Sequence, residues 1–178
     1  MKHNGTTSAT GGAPRGGPND IVVGLDDGPS AAAALRWAAT QCRLTGQDLR
    51  VVHAWQLSTF EETVSSAGLA DVASADARAR ATSWVHDTLG GGASLVRWSL
   101  VIEQGPPGQV LVSAADGGLL LVVGTHEHTG LRRAVHGSVS HYCLSHASVP
   151  VVAVPAPAQA PSEGAGTSGM LAAAGPLA

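Results

Sequence analysis

Residues 122–138 read VVGTHEHTGLRRAVHGS, and this stretch decides what kind of chain this is. Val122 and Val123 bring an apolar strand to Gly124, a polar turn follows, and Gly137-Ser138 then opens an amphipathic helix. A strand that passes through a glycine turn to a helix start leaves backbone N–H groups unpaired and convergent, the usual way a protein grips a phosphate. The stretch therefore predicts a nucleotide-binding α/β domain. Ser138 is the expected helix cap, a role that leaves other N–H groups of the first turn free for an anion.

Outward from this loop, apolar runs alternate with amphipathic helices. Residues 21–25 (IVVGL) form a continuous apolar run ending in Asp26-Asp27-Gly28-Pro29, as in a buried parallel strand followed by a turn. Ser30 is the expected N-cap of the next helix, where Ala31, Leu35, Ala38, Ala39 and Cys42 recur three or four residues apart, and Gly46 stops it. A second strand covers residues 49–55 (LRVVHAW). Residues 56–70 have no clear period and read as a loop. A helix over 70–89 carries Ala77, Ala81, Val85 and Leu89, and Gly90-Gly91-Gly92 ends it. Residues 95–103 alternate through Val96, Trp98, Leu100 and Ile102 as a third strand. The Gly105-Pro106-Pro107-Gly108 turn leads to a short helix with Val110, Leu111, Ala114 and Ala115. Residues 119–123 are a fourth strand and 149–154 the last. Between them, Val139, Tyr142, Cys143, His146 and Ala147 are expected on the inner face of the final helix.

This alternation predicts an α/β fold of three layers, an open twisted parallel five-stranded sheet with helices on both faces. In such sheets a ligand sits beyond the carboxyl ends of the strands, where the strand order reverses. Asp26, Trp55 and Gly124 stand at or near such ends.

Composition narrows the function. At 178 residues the chain suits one domain, 20–155, between Gly-, Pro- and Ser-rich tails at 1–19 and 156–178 that are expected to be disordered. A net charge of −3 with ten basic residues provides no cationic face for nucleic acid or an anionic membrane. Aromatic content of 3% argues against stacking platforms, and Trp37, Trp55, Trp84 and Trp98 read as packing residues. The amino terminus has no apolar core of a signal peptide, and no run is long enough to span a bilayer, so a cytoplasmic location is expected. Cys42 and Cys143 read as two small buried thiols, a disulfide being unsupported.

No strained nucleophile turn and no lysine-bearing phosphate loop occurs. The only lysine is Lys2. The chain is therefore read as a non-enzyme, with ATP hydrolysis at most slow and dependent on Arg or a metal ion. His126, His128, His136, His141 and His146 crowd together, but His141 and His146 are five apart on one helix and fall on different faces. Surface and loop histidines are the preferred reading, and no metal site is assigned.

The blocks IVVGLDDGPS, VVHAW, the GPP turn, VVGTHEH and GSVSHYCLSHASVPVVAVP resemble the universal stress protein family, Rossmann-like adenine-nucleotide binders. The resemblance covers about residues 20–155. Members that bind ATP carry a Gly-x2-Gly-x9-Gly-Ser/Thr loop, matched here by Gly124 and Gly137-Ser138, whereas Glu127 stands where the second glycine would be. Glu127 adds bulk and negative charge beside the expected phosphates, with His126, His128, Arg132 and Arg133 nearby in sequence and Gly130 three residues late. The resemblance implies a cofactor site at Gly24, Asp26, Ala54, Val123, Gly124, Gly137, Ser138 and Val139. Asp26 would meet the adenosine, the Ala54 backbone would pair with adenine, and the Gly137, Ser138 and Val139 amides would hold phosphate. Gly28, where a serine is usual, removes one hydroxyl contact. It further implies ATP with Mg²⁺, AMP and cyclic nucleotides remaining alternatives, a homodimer through the C-terminal strand, an unknown regulatory protein partner, and a role as sensor or regulator in a stress response. The competing expectation is a nucleotide-independent dimeric interaction module whose phosphate site is closed by Glu127.

Overall fold

The computed structural model describes residues 15–56, 67–125 and 138–157. In chain order they form β1 (Asp20–Gly24), α1 (Pro29–Thr45), β2 (Asp48–Trp55), α2 (Ala67–Leu89), a 3-10 turn (Gly90–Leu95), β3 (Trp98–Gln104), α3 (Pro107–Ala115), β4 (Leu120–Thr125), α4 (Ser138–His146) and β5 (Val151–Pro155). The five strands make one parallel sheet in the order β3-β2-β1-β4-β5. The expected three-layer α/β architecture is the one observed.

The central strands are apolar on both faces because both faces are covered. Ile21, Val23, Leu49, Val51 and Val122 pack with Leu35, Ala38, Cys42, Ala81 and Val85 under α1 and α2. Val22, Val52, Leu121 and Val123 pack with Val110, Leu111, Ala114 and Cys143 under α3 and α4. Successive side chains of one strand thus feed two cores.

Several local expectations are corrected. The cap of α1 is Gly28, extended at φ −85° and ψ 158°, rather than Ser30. Pro29 takes the first helical position, where its fixed φ fits and its missing N–H costs nothing. Ser30 is thereby carried into the helix, fully buried, and its hydroxyl has no partner among the described residues. Gly46 stops the helix in the left-handed region at φ 76°, its N–H donating to the Cys42 carbonyl at 2.8 Å.

Helix α2 begins at Ala67, inside the stretch read as loop, and residues 57–66 lie outside the described chain. Its alanine-rich sequence carries too weak a stripe for period alone to find its start. Past Gly90, at φ 54°, the chain continues as the 3-10 turn, which delays β3 to Trp98. On α4 the buried stripe runs through Ser140 and Cys143, with Ala147 packed just beyond the helix, and His146 is exposed instead of facing inward. Its ring stacks on Tyr142 with centroids 4.0 Å apart, and its Nδ1 lies 2.9 Å from the Tyr142 carbonyl.

Residues 15–19, read as part of a tail, make a turn at the amino end of β1. The Gly17 N–H donates to the Asp20 carboxylate at 2.8 Å, and Arg15 pairs with Asp116 at 3.2 Å. The remaining expected tails, 1–14 and 158–178, lie outside the described residues. Cys42 and Cys143 are both free and buried, one in each core.

Candidate functional site

β1 and β4 are neighbours at the middle of the sheet, and the chain leaves them toward opposite edges. Their carboxyl ends therefore splay from a switch point, where connecting loops part and leave a crevice. A cleft of about 370 Å³ opens there, lined by Gly24 of β1 and by Leu25 and Asp26 just after it, Val52, His53 and Ala54 from β2, Pro107 and Leu111 from α3, Val123 and Gly124 from β4, and Ser138, Val139 and Ser140 from α4. This falls in the size range of small-molecule sites, roughly 300–1,000 Å³.

Seven of the eight residues designated from the sequence line this one cleft: Gly24, Asp26, Ala54, Val123, Gly124, Ser138 and Val139. Gly137 and Glu127 lie outside the described residues, as do His126, His128, Gly130, Arg132, Arg133 and His136. Helix α4 begins at Ser138, so the position capping it also falls outside them. Trp55 ends β2 beside Gln104 and accepts from the Gly105 N–H at 2.9 Å, away from the cleft.

The two strand-end glycines serve different contacts. A Cβ on Gly24 would sit 2.8 Å from the Leu111 Cδ1, so this glycine keeps the cleft floor open between β1 and α3. A Cβ on Gly124 would sit 2.8 Å from the Ser30 carbonyl carbon, the Ala31 nitrogen and the Ser30 Oγ. Gly124 is thus also required by the first turn of α1, on the sheet face opposite the cleft. A third glycine, Gly108, lets α3 approach α4, because a Cβ there would lie 2.7 Å from the Tyr142 ring.

Asp26 is exposed at the rim, and one of its carboxylate oxygens accepts from the Gly28 N–H at 2.7 Å, which shapes the turn into α1. Its second oxygen carries no hydrogen bond among the described residues. Leu25 is tied to β2 by its N–H, which donates to the Val52 carbonyl at 2.9 Å. His53 is half-buried, with its Nδ1 3.2 Å from the Leu25 carbonyl. The walls are apolar at Pro107, Leu111, Val123 and Val139. Asp26 is the single carboxylate of the described lining, which includes no lysine or arginine.

Both α3 and α4 run antiparallel to the strands, so their amino ends meet at the cleft, where the helix dipole favours negative charge. Pro106 and Pro107 deprive α3 of two N–H donors there, leaving Ser138 to Ser140 of α4 as the richer donor set among the described residues. Sequence reasoning did not designate Pro107, Leu111 or Ser140, although the visible GPP turn marked a helix start at the right end of a strand. No group of three or more His, Cys, Asp or Glu that could hold a metal ion occurs among the described residues. No described helix is long and apolar enough to cross a membrane.

A doubly wound parallel sheet with a part-apolar crevice at its switch point defines an open-sheet α/β protein, a class whose ligands sit in such crevices. Residues 18–155 match the universal stress protein family. The chain belongs to that family. It is 31% identical over 167 residues to the universal stress protein Rv2623 of Mycobacterium tuberculosis, an alignment covering 79% of this chain and 51% of that one, so it spans about half the length of the curated relatives it matches. Two solved structures share the fold. A universal stress protein in complex with cAMP superposes with a TM-score of 0.57 at 18% identity, covering 79% of this chain and 99% of that one. The universal stress protein of Archaeoglobus fulgidus in complex with dAMP gives 0.52 at 22% identity, covering 78% and 97%.

Proposed function

We propose that the switch-point cleft binds an adenine nucleotide and that the chain acts as a nucleotide-responsive regulator in a stress response. What carries this reading is the convergence of Gly24, Asp26, Ala54, Val123, Gly124, Ser138 and Val139 on one cleft. The cAMP and dAMP complexes of two fold neighbours add support. In this reading the base lies between Leu111, Val123 and Val139, with its edge toward the backbone at Ala54. The free oxygen of Asp26 accepts from the ribose hydroxyls, and the amides of Gly137, Ser138 and Val139 receive phosphate at the amino end of α4.

ATP is the preferred form, with AMP or a cyclic nucleotide as the alternatives. Mg²⁺ would arrive on the triphosphate and keep most of its water, because the described lining has one carboxylate and the hydroxyls of Ser138 and Ser140 as its other hard donors. A lining without lysine or arginine among the described residues leaves little to stabilise a transferring phosphoryl group, so the protein signals occupancy rather than turning nucleotide over.

β5 lies at the sheet's edge, hydrogen-bonded to β4 on one side. Pairing of VVAVP with its counterpart in a second copy would cover that edge and make the homodimer. A regulatory protein then reads the dimer's state. Two unpaired thiols accord with the reducing cytoplasm.

Equilibrium binding of ATP and AMP, followed by calorimetry, tests this reading. Saturable binding at one site per chain is expected, and Glu127→Gly should tighten ATP by severalfold by removing charge and bulk beside the phosphates. An unchanged signal at millimolar nucleotide for both proteins would favour a nucleotide-independent interaction module.

A further inference from the structure

The Leu25 carbonyl can only accept a hydrogen bond, so the His53 ring nitrogen 3.2 Å from it must be the donor. This fixes the proton of neutral His53 on Nδ1. With the Leu25 N–H already donated to the Val52 carbonyl, β2 holds Leu25 from both sides. The peptide plane between Leu25 and Asp26 is thereby set, and the Asp26 carboxylate is steadied at its other end by the Gly28 N–H. Two consecutive β2 residues and one α1 cap thus aim a single carboxylate at the cleft mouth.

We propose that His53 is a positioning residue, one that acts through Leu25 to orient Asp26 to accept from the ribose hydroxyls. The inference rests on the nucleotide reading above and adds to it the residue that holds Asp26 in place for the sugar. A carboxylate accepts and never donates when ionised, so its natural partners in a nucleoside are the 2′ and 3′ hydroxyls. A carboxylate held in one place forms such bonds without first losing rotational freedom, whereas an unclamped one must be ordered on binding.

The test compares AMP with 2′,3′-dideoxy-AMP on the intact chain and on two variants. In His53→Asn the side-chain amide N–H sits where Nδ1–H stands, whereas His53→Gln places it where Nε2 stands. The native chain and His53→Asn should bind AMP about tenfold or more tighter than the dideoxy compound, the usual worth of a hydrogen bond to a charged group. His53→Gln should bring the two affinities to about the same value while melting at the same temperature as His53→Asn. Equal discrimination by both variants, or none by the native chain while it still binds AMP, would overturn the positioning role and leave the nucleotide reading standing. Failure of the native chain to bind either AMP or ATP would remove both. Should the variants not fold, nitrogen-15 spectra of the native imidazole decide the matter. Neutral His53 carrying its proton on Nδ1 is expected, and a proton on Nε2 would refute the clamp.

Discussion

The two faces of the sheet carry unequal helices. On one face α1 and α2 have 17 and 23 residues, and on the other α3 and α4 have nine each. At 1.5 Å per residue the first pair extends about 26 and 35 Å, the second only about 14 Å. Strands of five to eight residues rise roughly 17–26 Å, so the long helices can cover them end to end and the short ones cannot. Among the described residues, the cleft lies over the carboxyl ends of β1, β2 and β4 on the side of the short helices.

This contrast can be broken by matched truncations in the two cores. Leu35 is fully buried on the sheet-facing side of α1, and Leu35→Ala should cost about 3 kcal/mol in urea denaturation while leaving nucleotide affinity unchanged. Leu111 is 5% exposed and forms the cleft wall, so Leu111→Ala should cost less, about 2 kcal/mol, and also shift affinity. Equal effects on affinity would mean that the faces do not divide the work as described.

A second pair sharpens the comparison at the strand ends. Gly124→Ala drives a Cβ into the backbone of α1 and should cost about 2 kcal/mol. Gly24→Val meets the flexible end of Leu111 instead, so about 1 kcal/mol is expected, together with loss of nucleotide binding as the floor fills. Melting curves and a binding isotherm for each variant check both.

The fold was legible because the central strands are short β-branched runs bounded by turn residues, a signal that survives without tertiary information. The start of α2 was not, since alanine-rich helix offers no contrast between its faces. Gly28 as the cap of α1 was readable from Pro29 beside it, yet the serine two residues on was the more conspicuous candidate. At the site, Gly124 was visible as a glycine before a phosphate-type turn. That it also abuts Ser30 and Ala31 could emerge only from the packing of α1 across the sheet. His53 gave no signal at all, because its partner, the carbonyl of Leu25, is 28 residues away in sequence.

The smallest effect concerns the thiols, one in each core. Burial, reinforced by the carboxylate of Asp48, pushes Cys42 up to about 11, and burial alone does the same to Cys143, from an ordinary 9.0. Both should resist alkylation in the native protein at pH 8. A folded-state value above the unfolded one means that the thiols' stabilisation is complete below pH 9 and is lost as pH rises toward 11. The urea midpoint should therefore drift downward across that window, and the Cys42→Ala, Cys143→Ala double variant should flatten the drift.

An amide chemical-shift titration of the intact chain with AMP asks whether ligand binds on the short-helix face of the sheet. Saturable shifts are expected, confined to Gly24–Asp26, His53–Ala54, Val123–Gly124 and Ser138–Ser140, with the α1 and α2 helices silent beyond their first turns. Shifts centred on the long-helix face, or none at millimolar AMP, would contradict binding on the short-helix face.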